Sequence, residues 1–408
     1  MSKVRTREPF RRQGVMRFEM PEDSLTEDHR ARLLWRVVET LDLSAFTARA
    51  KAVEGRAGRP LASVQMQLVL WLYAISVGVG SAREIVRLTC SDTAFEWIVG
   101  DQKVSHDTLS VFRVEHGVAL DGLMTDVLGA LLHKGLLSLD LVAQDGTRVR
   151  ASAAAPSFRR EASLEECREQ AALHVKAVLL EQDDPETTES EKRARLAAAL
   201  DYQRRVDEAL TVVKELRNMG KADPRASTTD AEARVMKMAD GGFRPGYNVQ
   251  LATAGSPMGG SRTVVGVLVT NIGSDVGSVT PMLDQIERRT GQLPKTLMAD
   301  ANHAKHDCIV ECAERGVEAL ISVPRTPAGR VQGDQRPPVL GWRERMNTEA
   351  AKTTFRARAS LCELSNAHLK HHHGTAQVLV RGTVKVTCVA LLCALSANLL
   401  THAAAWLG

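Results

Sequence analysis

The chain predicts an α/β protein: a mixed sheet flanked by helices, preceded by an all-helical region and interrupted by a helical insertion. Three observations predict it. Residues 25–136 carry apolar residues at helical spacing and read as helix after helix. Strand-like segments begin only at residue 139 and return at 246. Between them, residues 156–222 hold 14 acids and 12 Lys/Arg with no strand signal, a net charge of −2. The division that follows is a helical region over 1–137, a first strand over 138–155, an insertion over 156–224, and the remaining sheet with C-terminal helices over 225–408. A length of 408 residues fits two or three structural units.

In chain order, "LASVQMQLVLWLYAIS" (61–76) is an apolar-rich helix that stops at Gly78 and Gly80. Ser81 with Glu84 forms a capping-box signal for "AREIVRLTC", and Ser105 caps "HDTLSVFRVEHG". A further apolar helix covers "LDGLMTDVLGALLHKG" (120–135). Short helices with tight turns resemble a helix-turn-helix. In that reading the helix from His106 enters a DNA groove with Arg113 and His106 outward. A plain helical bundle gives the same signal. "LDLVAQDGTRVRA" (139–151) is strand-like and breaks at Asp145-Gly146. In the insertion, Ser163 and Glu166 form a capping box. Leu196, Leu200, Val206, Leu210 and Val213 keep helical spacing, so a helical hairpin broken near "DDPETTES" is expected. It serves as a DNA- or subunit-contacting element or as a charged, solvated spacer.

Strands return at "GYNVQLATA" (246–254) and "RTVVGVLVTN" (262–271), after a tight turn at Asp240-Gly241-Gly242. Near that turn Arg244 and Tyr247 are candidates to touch DNA. Helix "VTPMLDQIERRTG", strand "KTLMAD" (295–300), helix "HAKHDCIVECAERG" and strand "EALISVP" follow. Three consecutive strands and then alternation imply antiparallel pairing first and parallel pairing later. From Gly341 to Leu407 the chain is again helical. "VTCVALLCALSANLL" (386–400) is too short to span a bilayer and reads as a buried helix. The N-terminus has no apolar core of a signal peptide, so no membrane role is expected.

Hydrophobic residues at 44% and charged residues at 25% place the chain with ordinary globular proteins rather than disordered ones. The seven cysteines are scattered without a CxxC. Cys308 and Cys312, one helical turn apart, lack two further zinc ligands nearby and read as small apolar helix residues. Reduced thiols fit a cytoplasmic protein. The net charge of +4 is uneven: residues 324–385 carry eleven Lys/Arg against four acids, a local +7. Such a stretch attracts a polyanion, or is a solvated positive surface. His371–His373 lie near phosphates in the first case and in a solvated turn in the second.

Within this frame the acids are candidates for chemistry. Asp145 ends the first strand and Asp300 the fourth, at the edge where ligands of α/β sheets collect. An Asp-Gly pair is equally a turn signal, and an Asp after a strand often caps the next helix. In "TFRARASLCELSNAHLK", Arg356, Glu363 and Lys370 are each seven residues apart on one helical face. A carboxylate for metal between cations for phosphates has this spacing, and so does a surface ion-pair ladder. Glu349, fourteen residues before Glu363, is the rival acid.

At this point the chain resembles the DDE transposases of bacterial insertion sequences. The resemblance rests on "DGTRVRASAA", on "TDAEARVMKMADGGFRPGYNVQ" with "LMADANHA", and on "FRARASLCELSNAHLK" followed by "VLVRGTVKVTCVALLCALSANLL". The helical start, with "GRPLASVQMQLVLWLYA" and "VSHDTLSVFR", is similar to that family's DNA-binding region, so the likeness spans nearly the whole chain. It implies an RNase H-like catalytic domain in which Asp145, Asp300 and Glu363 hold two Mg²⁺ ions, with Mn²⁺ as a substitute. It implies that Arg358 and Lys370 hold phosphates beside the scissile bond; Arg356, Arg113 and Arg244 are further candidate DNA contacts from the readings above. The implied partners are the element's terminal inverted repeats, target DNA, and a second copy or larger assembly on DNA in the bacterial nucleoid. Phe355 stands where the family signature usually has Tyr, and His303 where Tyr is common. A decayed or host-adopted DNA-binding copy, or a nuclease of the same fold without strand transfer, has the same sequence features.

Overall fold

Helices come first in the chain, and capping side chains set where they start. The computed structural model describes residues 20–48, 61–180, 187–256, 260–324, 333–367, 370 and 376–408, the side chains of Glu363 and Leu364 excepted. The first elements are α1 (Arg30–Glu39), α2 (Ser44–Thr47), α3 (Val64–Ser76), α4 (Ala82–Leu88), α5 (Thr93–Val99), α6 (His106–Glu115) and α7 (Gly117–His133). The side-chain oxygens of Ser63, Ser81, Asp92 and Ser105 accept from first-turn amides of α3, α4, α5 and α6. Each bond satisfies a donor that a helix start leaves open. Every residue of α3 but Gln65 is buried, so it forms the centre of this helical layer.

There follow β1 (Leu141–Arg150), β2 (Phe158–Arg159), α8 (Glu161–Leu180), α9 (Glu189–Asn218), β3 (Ala226–Ser227), β4 (Arg234–Lys237), β5 (Phe243–Ala254) and β6 (Thr263–Thr270). The chain continues through α10 (Val279–Thr290), β7 (Thr296–Ala299), α11 (His306–Glu314), β8 (Glu318–Ile321), α12 (Pro337–Asn347), α13 (Glu349–Ala367) and α14 (Thr383–Leu407). The sheet runs β5–β1–β7–β8, with β4 and β6 pairing successive stretches of the outer edge of β5. β1–β5 and β5–β6 are antiparallel, whereas β1–β7 and β7–β8 are parallel. This matches the expected change of pairing and is consistent with the RNase H-like class. The turn at Asp240-Gly241-Gly242 closes the β4–β5 hairpin, where Gly241 takes φ +83°.

Three expectations are corrected. β1 does not break at Asp145-Gly146. It continues to Arg150, with Asp145 opposite Leu251 in mid-strand. The reason is Gly146: a Cβ there would overlap Gln250 Nε2 and lie 2.5 Å from Asp275 Oδ1, so only glycine lets these side chains pack against the strand. In the insertion, the hairpin α8–α9 forms, but Ser163 lies inside α8. The capping box belongs to Thr188 and Glu191 at the start of α9. Finally, α14 is 25 residues long, enough by length and composition to cross a bilayer.

α14 is instead a core helix. It packs against β6 on one side and against α1, α3, α6 and α7 on the other. Ser396 Oγ donates to Leu72 O (2.8 Å), and the Asn398 amide bonds both Val264 N–H and Val264 O (2.8 Å each). His402 Nε2 lies 2.8 Å from Thr263 Oγ1. Polar atoms on an otherwise apolar helix thus take up backbone and hydroxyl groups that burial would leave unpaired. One apolar core runs from the N-terminal helices through α14 to the sheet. The insertion keeps a small core of its own around Leu164, Val206, Leu210 and Val213. Cys308 and Cys312 are buried on α11 as apolar helix residues.

Candidate active site

The sheet brings Asp145 and Asp300 together because β7 pairs with only Leu141–Ala143 of β1. From Gln144 to Val149 no strand pairs that edge among the described residues, until Arg150 bonds Ala376 and Val378, and Asp300 follows β7 directly. On the odd-numbered face of β1, Asp145 meets α13. Asn366 Nδ2 donates to Asp145 Oδ2 (2.8 Å), and Arg358 Nη1 lies 3.9 Å from Asp145 Oδ1. Arg358 itself sits over the ring of Phe355, 5.6 Å from its centroid. The residue found in place of the expected Tyr therefore holds this guanidinium by cation–π contact.

The two carboxylates are poised differently. Burial pushes the Asp145 carboxyl above its ordinary value; Arg358 opposes this and the Asp300 charge adds to it. Burial also works against Asp300, but the hydrogen bond and charge of His303, the Asn302 N–H and Arg358 outweigh it, leaving the carboxyl below the usual range. His303 is fully buried, with Nδ1 2.7 Å from Asp300 Oδ1 and Nε2 3.1 Å from Gln250 Oε1. Gln250 Nε2 donates to Asp275 Oδ1 (2.6 Å), as does Asn248 Nδ2 (2.7 Å), and Arg148 Nη2 donates to Asp275 Oδ2 (2.9 Å). A continuous polar chain thus runs from Asp300 behind β1 to Arg148.

Of the α13 residues, Arg358, Cys362 and Asn366 face the pair, one turn apart in succession. Cys362 is buried, and burial with the nearby Asp145 charge pushes its thiol up to about 12. Among the described residues no third carboxylate joins Asp145 and Asp300. The backbone of Glu363 is helical; its side chain, like His371–His373, lies outside the described residues. Glu349 is exposed and pairs with Lys352, about 20 Å along the helix from Cys362 at 1.5 Å per residue, so it is no rival for the third position. Lys370 lies near Asp145 and Arg148; burial first, and then Arg148, lower its pKa.

Other expected DNA contacts are elsewhere. Arg113 does not face outward: it is buried, donates to Gly80 O (2.8 Å) and sits 4.6 Å from the Trp71 ring centroid. Burial lowers its pKa to about 10. Tyr247 is also fully buried, and its hydroxyl donates to Asp230 (2.8 and 2.9 Å). Arg244 pairs with Asp240 beside the β4–β5 turn, and Arg356 is exposed on α13.

Comparison with protein families decides the class. A transposase domain (DUF772) matches residues 19–115, and a transposase DDE domain matches residues 336–401. These two matches support a DDE transposase of an insertion sequence. The first match spans α1 to α6 and the second spans α12, α13 and most of α14, the two helical parts that share one core. No curated protein and no solved structure gave a match. A DDE domain implies a transposition enzyme that cleaves DNA strands and transfers them. Asn366, Cys362, Gln250, Asp275 and Arg148 escaped the sequence reading. For Cys362 and Asn366 a signal existed, since they lie four and eight residues from Arg358.

Proposed function

We propose that this transposase cuts and joins DNA at the terminal inverted repeats of its element, in a centre built on Asp145 and Asp300 with Glu363 as third carboxylate. The observation that carries the reading is the meeting of the two Asp side chains beneath Arg358, with Asp145 under-compensated in charge. Oxygen donors suit Mg²⁺, with Mn²⁺ as a substitute. The Asn366 Oδ1 atom, buried beside Asp145 without a partner among the described residues, adds a further oxygen that a cation or its water would satisfy. Two such ions supply activation of the attacking oxygen and stabilisation of the leaving one. The chain's own side chains do the rest. Arg358 offers donors to a phosphate, His303 and Asn302 fix Asp300, and Asn366 fixes Asp145. Joining two element ends calls for two copies of the chain on DNA in the cytoplasm.

The test is incubation of the full chain and Mg²⁺ with a duplex carrying an element end taken from the DNA flanking the gene. Strand cleavage and joining are expected, and both are expected to vanish in Asp145→Asn and Asp300→Asn. An inactive wild-type chain overturns the enzyme reading. One observation favours a second reading, a DNA-binding copy without catalysis: the α13 position one turn beyond Arg358 carries Cys362 rather than a carboxylate. Glu363 follows by one residue, a helical step of about 100°. Binding of element ends without cleavage, with cleavage gained in Cys362→Glu, is the outcome of that reading.

A further inference from the structure

On the even-numbered face of β1, opposite to that of Asp145, a cleft of about 370 Å³ is lined by Arg148, Lys237, Lys370 and the backbone at Gly146 and Gly273. Three cations reach it from three separate elements: β1, β4, and the segment that follows α13. Arg148 is held in place from behind. Its Nη2 donates to Gly273 O and to Asp275 Oδ2, both at 2.9 Å. Its Nε and Nη1 make no hydrogen bond among the described residues, which leaves three N–H groups for the cleft. Asp275 neutralises Arg148 but is itself buried and accepts from Asn248 and Gln250, so it offers nothing to the other two cations. Among the described residues no carboxylate lies within ion-pair distance of Lys237 or Lys370. Lys370 is half-buried against the like charge of Arg148. Like charges gathered around a concave surface are stabilised by an anion between them.

We propose that this cleft is a binding site for a backbone phosphate of the DNA strand that leaves the Asp145–Asp300 centre, with Arg148 and Lys237 as its new ligands. The proposal rests on the transposase reading above. Arg148 lies three residues beyond Asp145 along β1, roughly 10 Å at 3.3 Å per residue. The site therefore takes a neighbouring phosphate, not the scissile one. It contacts no base edge, so it sets strand register and not sequence.

The experiment measures binding of a fluorescein-labelled 30-base-pair duplex of arbitrary sequence to the full chain by anisotropy, in EDTA, across a range of KCl concentrations. Each lost phosphate contact lowers the slope of log K against log salt by about 0.9. At 0.1 M salt this corresponds to roughly eight-fold weaker binding. Lys237→Gln and Arg148→Gln are each expected to show that loss, and the double variant about twice the change in slope. Lys295→Gln, at the opposite end of β1 where Lys295 pairs with Asp140, is expected to leave the slope unchanged. Lys237 is exposed, so its variant folds as wild type does; melting curves check Arg148→Gln. Wild-type slopes in both variants, with normal wild-type binding, overturn the cleft and leave the transposase reading standing. An equal loss in Lys295→Gln overturns it as well, because the effect is then general surface charge. No salt-dependent binding by the wild-type chain overturns both.

Discussion

Gly146→Ala is the sharpest perturbation of the site that leaves every ionisable group in place. A Cβ at 146 would overlap Gln250 Nε2 and sit 2.5 Å from Asp275 Oδ1 and 3.0 Å from Asn248 Oδ1. These are ends of side chains, which elsewhere swing aside at little cost. Here they are tied down: Gln250 bonds His303 and Asp275, and Asp275 also bonds Asn248 and Arg148. Forcing one methyl into a packed interior costs about 1–3 kcal/mol. Losing one hydrogen bond to the Asp275 carboxylate adds roughly 1.5–3 kcal/mol. The sum, about 3–6 kcal/mol, is a large share of the stability of an ordinary domain. Urea denaturation followed by far-ultraviolet circular dichroism measures it. Because the same chain of bonds ends on Asp300, the variant is also expected to lose strand cleavage at temperatures where it remains folded. A Gly146→Ala protein with an unchanged urea midpoint would refute the claim that this network needs a bare strand backbone.

The two carboxylates should respond to neutralisation with opposite sign. Asp145 has a raised pKa, so its ionisation removes stability as pH climbs through 3.8 and then through the higher folded value. Asp145→Asn is therefore expected to raise the Tm in EDTA at pH 7 and to leave it unchanged below the unfolded value. Asp300 has a lowered pKa and contributes stability above 3.8 that is lost as pH falls through the folded value; Asp300→Asn is expected to lower the Tm at pH 7. Equal shifts of one sign in thermal melts would contradict these environments. Mn²⁺ at a hundred times its Kd is expected to stabilise the wild type by about 2.7 kcal/mol and Asp145→Asn far less, read in the same melts. Arg113→Met removes a charge-assisted bond to Gly80 O and is expected to cost about 1.5–3 kcal/mol in urea while duplex affinity stays unchanged. Tyr247→Phe leaves the buried Asp230 without its hydroxyl donor and is expected to cost roughly 1–3 kcal/mol; an unchanged urea midpoint would show that another donor replaces it.

The order of β1, β5, β6, β7 and β8 and their change from antiparallel to parallel pairing were legible because Gly- and Asp-rich turns punctuate them and β-branched runs fill them, whereas the short β2, β3 and β4 were not read. Helix starts were legible wherever a Ser or Asp cap has its partner three residues away, as at Ser81 and Ser105. Thr188 fits that rule too, yet Ser163 carried the same signature, and only packing of the hairpin decides between them. The fate of Asp145 was not legible. An Asp-Gly pair makes a turn or a strand according to what lies over the glycine, and Gln250 and Asp275 are more than a hundred residues away. Arg113 turned inward because Trp71, on another helix, offers a ring. The seven-residue spacing of Arg356, Glu363 and Lys370 defines one stripe of α13, but not which stripe meets the sheet. The observed contact falls on Arg358, Cys362 and Asn366, a phase that depends on Leu361 and Cys362 packing against Leu141, Ala143 and Met298.

The position of α14 bears on how this protein is made. The first seven helices leave the ribosome early, but the helix that fills the groove between them and β6 comes last. At about 5–20 residues per second, roughly 15–55 seconds separate synthesis of α7 from that of α14. During that interval α3 and β6 present apolar surface that α14 later covers, a state that invites chaperone capture or aggregation. Translation that stops short of α14 would leave both halves without their shared wedge. The N-terminal helices and the sheet are therefore expected to mature together, and only on chains read through α14.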